Sequence, residues 1–267
     1  MKILALAKYS LDVAEIRVDS ASGALRMTGV PQRFGDLDKG AVEVAVRLKE
    51  TSDAVVEVLC LGPPAARAAT KDVLAMGADE ATVIEDPYDG AADAAVAARV
   101  LEAAIRKRGP FDLIICGFAS DDGYSHQTGP RLAERLGLPF VSYAREISLE
   151  GGVLMADRDL EDGIQTVSVP LPAIVSVAEE AFVPRRVTLL QAMKAQKKPT
   201  NMWSLEQDLG LSEEALDKVS GYSVICETGI VVDRKQHMLK GMDVTEMADL
   251  LIDMLVEEEV LALKGGG

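Results

Sequence analysis

Short apolar runs at residues 3–7, 55–61, 81–84, 113–116 and 140–143 are separated by longer segments in which apolar residues recur every three or four positions. Near-continuous apolar runs of that length predict strands covered on both faces, and the intervening period predicts helices. Residues 41–50 (AVEVAVRLKE), 64–76 (PAARAATKDVLAM) and 91–108 (AADAAVAARVLEAAIRKR) carry the helical pattern, the last closing on a basic turn and Gly109-Pro110, a stop signal. Such alternation builds an α/β fold around a doubly wound, mostly parallel sheet of the nucleotide-binding, Rossmann-like kind.

The texture changes after Tyr143. Residues 145–157 and 164–177 alternate or run apolar around Gly151-Gly152 and Asp162-Gly163, which predicts hairpins and an antiparallel extension of the sheet. A basic stretch follows over 184–203, with Pro184-Arg185-Arg186, Leu189-Leu190 and then Lys194, Lys197 and Lys198, a candidate contact surface. Beyond Asn201 the chain reads as a polar linker, a short β-like segment (222–226 and 230–232) and a final amphipathic helix. That helix places Val244, Met247, Ala248, Leu251 and Leu255 on one face and Glu246, Asp249, Asp253 and Glu257 on the other, a pattern that suits core packing and partner docking equally. The expected division is an α/β domain over 1–200 and a linker with a carboxyl-terminal arm over 201–267, its last glycines (265–267) disordered.

Composition narrows the partners. The 267 residues carry a formal net charge of -15, which argues against a nucleic-acid or anionic-membrane surface, since those are recruited through Lys and Arg. No run is long enough to span a bilayer and Met1-Lys2 leads straight into a strand pattern, so membrane insertion is not expected and the cytoplasm is the expected compartment. Cys60, Cys116 and Cys226 have no paired spacing and are expected as free thiols; His126 and His237 are too far apart in sequence for a His-rich metal site.

The candidate chemistry lies in DDGYSHQTGP, residues 121–130, between the predicted strand at 113–116 and a predicted helix from about Gly129 to Leu136. Ligands of open α/β sheets sit beyond the carboxyl ends of strands, and a helix start offers free N–H groups and partial positive charge to an anion. Gly117, Gly123 and Gly129 permit close approach of backbone to a ligand, and Ser125, Gln127 and Thr128 supply neutral donors. Asp121 and Asp122 would repel a phosphate unless they turn toward backbone N–H groups, a ribose or solvent. From spacing alone the loop suits a phosphate cradle and a plain connection alike. It matches neither a Walker loop nor GxGxxG, which points to holding a nucleotide rather than cleaving it.

Taken with AVEVAVRLKE (41–50), LAMGAD (74–79), RDLEDG (158–163), Leu171-Pro172-Ala173, Pro184-Arg185 and MKAQKKP (193–199), the loop resembles the beta subunit of electron-transfer flavoproteins, in family order from about residue 1 to 200. The resemblance implies a heterodimer with an alpha subunit that carries one FAD, the beta chain adding an adenine-nucleotide site. That site holds AMP in ordinary members and a second FAD in the electron-bifurcating branch. Carried over by position, the cofactor-binding residues would be Leu6, Ala7, Gly35, Asp36, Leu37, Asp38, Leu61, Gly117, Phe118, Ala119, Asp122, Gly123, Tyr124, Ser125, His126, Gln127, Thr128 and Gly129. Leu189, with Arg185 at its base, would dock a redox partner, either a flavin dehydrogenase or a quinone oxidoreductase, and the terminal arm would wrap the alpha subunit.

Three positions depart from the family. Gly35-Asp36-Leu37 replaces the usual Asn-Pro-Phe, Tyr124 stands where an Asp is usual, and His126 replaces a small or amide residue. Asp122-Gly123, Gly129-Pro130, Val141-Ser142-Tyr143 and Leu160-Glu161-Asp162-Gly163 resemble the bifurcating branch, so the expected cofactor is FAD, with AMP as the alternative. The expected role is an electron carrier with no catalytic residue of its own, possible NADH-dependent bifurcation belonging to the whole complex. Competing readings are an ATP-sensing module on the same fold and a nucleotide-cleaving enzyme using Asp122 and His126.

Overall fold

The computed structural model describes residues 1–86, 92–179, 182–220, 229, 237–241 and 243–261. Two units divide the chain, one comprising Met1–Arg17 with Leu25–Glu227 and the other Val18–Ala24 with Thr228–Gly267. In chain order the elements begin with β1 (Lys2–Leu6) and the short strands β2 (Tyr9–Leu11), β3 (Arg17–Val18), β4 (Leu25–Arg26) and β5 (Gln32–Phe34). Helix α1 (Asp36–Glu50), β6 (Val55–Gly62), α2 (Ala66–Met76), β7 (Glu80–Glu85), α3 (Ala94–Arg108), β8 (Leu113–Gly117) and α4 (Thr128–Leu136) then alternate as the apolar pattern requires.

Alternation within single strands shows why the sheet is covered on both faces. In β1, Ile3 and Ala5 join one buried apolar cluster while Leu4 and Leu6 join the other; in β8, Leu113 and Ile115 divide from Ile114 and Cys116 in the same way. Helices α1 and α2 cover the first face through residues such as Val42, Ala45 and Leu74, and α3 and α4 cover the second through Val100, Ile105 and Leu132. The chain runs outward from β1 to β6 and β7, then returns to the other side of β1 as β8. The crevice between β1 and β8 at their carboxyl ends is therefore a topological switch point, where open α/β sheets bind ligands.

The antiparallel extension is made by β9 (Phe140–Glu150), β10 (Val153–Leu160) and β11 (Gly163–Pro170), turning at Gly151-Gly152 and before Gly163. It ends sooner than the sequence suggests. Strand β12 (Ala173–Val177) leaves the hairpins and inserts between β8 and β9, parallel to both, because its five residues are all buried and fit only the sheet interior. The full order is β11-β10-β9-β12-β8-β1-β6-β7-β13, with β13 (Thr200–Trp203) parallel to β7 at the far edge.

Residues 201–217, expected as the start of a linker, fall within the α/β unit. After α5 (Leu189–Ala195) and β13 come α6 (Leu205–Leu209) and α7 (Glu213–Asp217), whose neighbourhood buries Leu205, Leu211 and Leu216 in the second apolar cluster. Each of the two short helices is capped by a serine, Ser204 or Ser212, accepting a first-turn N–H.

In the other unit, α8 (Val244–Glu257) starts at Asp243, whose carboxylate accepts the N–H groups of Thr245 and Glu246. Met247, Leu250, Met254 and Leu255 are half-buried, whereas Val244, Ala248 and Leu251 of the expected apolar face are exposed. The expected β-like segment (222–226 and 230–232), Cys226 and the terminal glycines lie outside the described residues. Among the described residues no helix is long and apolar enough to cross a membrane.

Candidate nucleotide site

A cleft partly open to solvent lies at the switch point. It is lined by the ends of β1 (Leu6, Ala7, Lys8), β6 (Leu59, Leu61) and β8 (Cys116, Gly117), by the loop after β8, and by residues at or near the starts of α1, α3 and α4. Of the residues expected from sequence, Leu6, Ala7, Asp38, Leu61, Gly117, Phe118, Ala119, Gly123, Ser125, His126, Gln127, Thr128 and Gly129 line it. Gly35, Asp36, Leu37, Asp122 and Tyr124 do not. Lys8, Leu59, Asp86, Cys116 and the alanine face of α3 (Ala94, Ala97) also line it and were not expected. The helical alanines could have been found from their spacing at the start of a helix that follows a strand end.

The two acidic residues of the loop are both turned away from the lining. Asp121 Oδ2 accepts the backbone N–H of Asp36 at 3.0 Å, capping α1, whose own N-cap residue Gly35 has no side chain to do so. A Cβ on Gly35 would stand 2.8 Å from the Asp121 carboxyl carbon, so glycine at this departure from the family pattern makes room for a cap supplied by another loop. Arg33 binds Asp36 and Asp12 and lies 3.9 Å from Asp121, and its hydrogen bond holds the Asp36 carboxyl below the usual range. Asp122 accepts from Lys8 Nζ and from the Gly123 N–H, each at 2.7 Å. Burial alone would raise the Asp122 carboxyl, but the Lys8 charge and these hydrogen bonds outweigh it and hold it low.

Burial acts on two further groups of the cleft lining. Asp38, in the first turn of α1, is buried, and burial pushes its carboxyl well above the usual range, with Asp121 and Asp122 adding to the effect against the Lys8 amide and charge. Burial likewise pushes the Cys116 thiol up to about 12, so it is no nucleophile at neutral pH. Cys60 is also a free, buried thiol.

His126 and Asp122 do not form an acid–base pair. His126 Nδ1 lies 2.8 Å from the Tyr143 hydroxyl, while Asp122 is occupied by Lys8 and Gly123. The cleaving arrangement is therefore absent from this geometry.

Helix α4 begins at Thr128 without a side-chain cap from Gln127, and Pro130 in its first turn has no N–H to satisfy. Its first-turn N–H groups and the positive end of its dipole are open to an anion, each such contact contributing about 0.3–1 kcal/mol. Gly129 lines the cleft and also serves packing. A Cβ there would meet Phe140 Cε2 at 2.9 Å and Cys116 Sγ at 3.1 Å, so the glycine lets α4 pack against β8 and β9. Gly117 is constrained similarly, a Cβ meeting Ala119 O at 2.9 Å and Leu37 O at 3.1 Å.

The candidate docking segment lies apart from the cleft. Leu189, Leu190 and Met193 of α5 are 79%, 61% and 61% exposed, an apolar patch on a helix closed by a capping box between Thr188 and Gln191. Arg185, expected at the base of this segment, is bound to two carboxylates of α1. Its backbone N–H and its Nε donate to Glu43 at 3.1 and 2.8 Å, and its guanidinium also grips Glu50. Glu43 is nearly fully buried; burial would raise its carboxyl, yet Arg185 and Arg47 together hold it below the usual range. The arginine therefore clamps the segment to α1.

Comparison with known proteins agrees with this architecture. A family profile described as "Electron transfer flavoprotein domain" matches residues 23–208. "Caffeyl-CoA reductase-Etf complex subunit CarD" of Acetobacterium woodii is 32% identical over 98% of this chain and 100% of its own length. "Electron transfer flavoprotein subunit beta" of Thermoanaerobacterium thermosaccharolyticum is 32% identical over the same shares, and that of Megasphaera elsdenii 32% identical over 74% of this chain and 76% of its own. With a doubly wound sheet, a family profile across most of the chain and full-length relatives of one kind, the chain belongs to the electron transfer flavoprotein family, among its beta subunits.

Proposed function

We propose that this chain binds an adenine nucleotide, FAD, in the switch-point cleft and pairs with an electron transfer flavoprotein alpha subunit to pass electrons between flavins and redox partners. The observation that carries this reading is the loop at 118–127. Its two carboxylates are spent on Asp36, Gly123 and Lys8, leaving neutral donors and an uncapped helix start facing the switch-point cleft. The lining suits such a group: a polar phosphate end at α4, apolar walls from Leu59, Leu61 and Leu101 for a purine, and the Asp38 carboxyl, whose burial favours its protonated form, as a polar contact.

When bound, FAD would supply the electron-carrying ring; the chain's residues hold and orient it and need no nucleophile or proton donor. Leu189, Leu190 and Met193 present an apolar patch for a partner dehydrogenase, with Arg185 fixing its base. The terminal helix α8, with Val244 and Leu251 exposed, is the arm that meets the alpha subunit. The likeness to a subunit of a caffeyl-CoA reductase–Etf complex, together with the branch-like motifs around 122–130 and 141–143, favours the bifurcating assignment.

Co-expression with the alpha subunit, denaturation of the purified complex and chromatography of the released nucleotides tests the reading. Two FAD per heterodimer support it. One FAD and one AMP make this an ordinary electron shuttle with a structural mononucleotide, and a freely exchanging ATP would favour a sensing module.

A further inference from the structure

The described non-glycine residues with positive φ are Tyr124 (42°), His126 (59°), Tyr143 (56°) and Glu259 (58°). The first three meet in one place. Left-handed backbone is disfavoured for bulky side chains and persists only where the surroundings hold it, commonly at functional sites. Here the rings form a cluster with Phe118: Tyr124 to His126 at 4.7 Å, Phe118 to His126 at 5.1 Å, and Phe118 to both Tyr124 and Tyr143 at 5.6 Å between centroids. Phe118 and His126 line the cleft while Tyr124 and Tyr143 reach solvent, so the cluster runs from the lining to the surface.

Tyr143 arrives there through a defect in its strand. Against β12, Val141 pairs with Val175 and Ala144 with Val177, so Ser142 and Tyr143 together oppose Ser176 alone, a β-bulge. The bulge is pinned on both sides. The Tyr143 N–H donates to the Oγ of buried Ser176 at 3.2 Å, and the Arg158 guanidinium donates to Ser142 O at 2.9 Å and Ser142 Oγ at 2.7 Å. Its product is one hydrogen bond, between the Tyr143 hydroxyl and His126 Nδ1 at 2.8 Å.

We propose that Tyr143 is a positioning residue that fixes the His126 ring, so that His126 and Phe118 form an aromatic ledge that takes the second planar ring system of a dinucleotide. The inference rests on the cleft holding an adenine nucleotide with its phosphate near the start of α4. A mononucleotide ends at that phosphate and makes no use of the ledge; a dinucleotide continues past it along the same loop. The ledge therefore selects a dinucleotide over a mononucleotide, and two rings of the cluster, Tyr124 and His126, stand where this chain departs from the family pattern.

The heterodimer, freed of cleft nucleotide while keeping the alpha-subunit FAD, is titrated with AMP and with FAD. His126→Ala should weaken FAD binding roughly two- to tenfold more than it weakens AMP binding, as expected for one ring contact that only the dinucleotide makes. Tyr143→Phe, which removes only the hydroxyl, should lower the preference for FAD in the same direction and alter the visible circular dichroism of the FAD bound in the cleft. Equal loss for both nucleotides, or no change for either, overturns the ledge. A wild-type heterodimer that binds neither nucleotide in the cleft overturns the nucleotide reading, and this inference with it.

Discussion

Asp121 Oδ2 accepts a hydrogen bond from the Asp36 N–H at 3.0 Å, joining the loop after β8 to the first turn of a helix 85 residues earlier in the chain. The loop's shape and the position of α1 are thereby set together, on either side of the cleft. Gly35→Ala would drive a methyl into the Asp121 carboxylate and break the cap. A stability loss of about 0.5–2 kcal/mol is expected, with Asp121→Ala costing a similar amount and Asp121→Asn, which still accepts, costing less. Thermal unfolding of the three variants checks the ranking.

Lys8 is the lysine or arginine of the cleft lining, and Asp122 holds it at 2.7 Å. Lys8→Met should weaken nucleotide binding by roughly tenfold or more, the usual size of a lost charged hydrogen bond. Asp122→Asn should act in the opposite direction, since it releases the ammonium for phosphate while keeping an acceptor for the Gly123 N–H. Calorimetric titration with AMP distinguishes this from a loop in which Lys8 serves only to hold Asp122, where both substitutions would weaken binding.

Asp38 makes stability depend on pH in a specific sense. Its folded carboxyl sits well above the unfolded value because it is buried, so the folded state retains a proton that the unfolded state has released. Stability therefore falls as pH rises from the ordinary carboxylate range through the folded value. Asp38→Asn removes the titration and should raise the thermal midpoint at neutral pH, the gain shrinking toward zero in acid. A variant less stable than wild type at neutral pH would show that the charged carboxylate is held favourably.

Glu43 behaves in the reverse way. Its folded carboxyl is depressed, so its contribution is complete above the ordinary carboxylate range and is lost as pH falls through the folded value. Acidification should loosen the 184–197 segment from α1 early, read as cleavage at Lys194 or Lys197 by an acid-tolerant protease. Arg185→Ala should produce the same cleavage at neutral pH and cost about 2 kcal/mol, less than a fully buried pair because the arginine is partly exposed.

Leu189 is exposed, so Leu189→Ala should leave stability within about 0.5 kcal/mol of wild type. Electron exchange with the partner dehydrogenase should nevertheless slow, with affinity falling roughly tenfold if that side chain is buried on docking. An unchanged exchange rate removes the anchor assignment.

Period and apolar content made β1, β6, β7, β8 and the helices between them legible, because each strand must supply apolar residues to both faces of the sheet. The placement of β12 was not legible: Ala173–Val177 continues the apolar texture of the hairpins, and only competition for the buried slot between β8 and β9 sends it there. Helix α5 did carry a local signal, Thr188 with Gln191 three residues on, which the basic residues around it obscured. At the site, the strand ends and the loop could be located from sequence. The partners of Asp121, Asp122 and Tyr143 could not, since each is set by contacts far away in the chain.

The stretch from Val187 to Gln196 is anchored at both ends. Arg185 is fastened to Glu43, and beyond α5 the Lys198 ammonium donates to Leu74 O at 2.8 Å while Lys71 holds Lys198 O and the Thr200 hydroxyl. Between these fastenings, Ala195 packs into the core while Leu189, Leu190 and Met193 are exposed. Such a part is an exchangeable cartridge: its tip can be rewritten while the sheet and cleft stay as they are, so under the proposed function partner choice and nucleotide retention would be free to evolve at different rates in one chain.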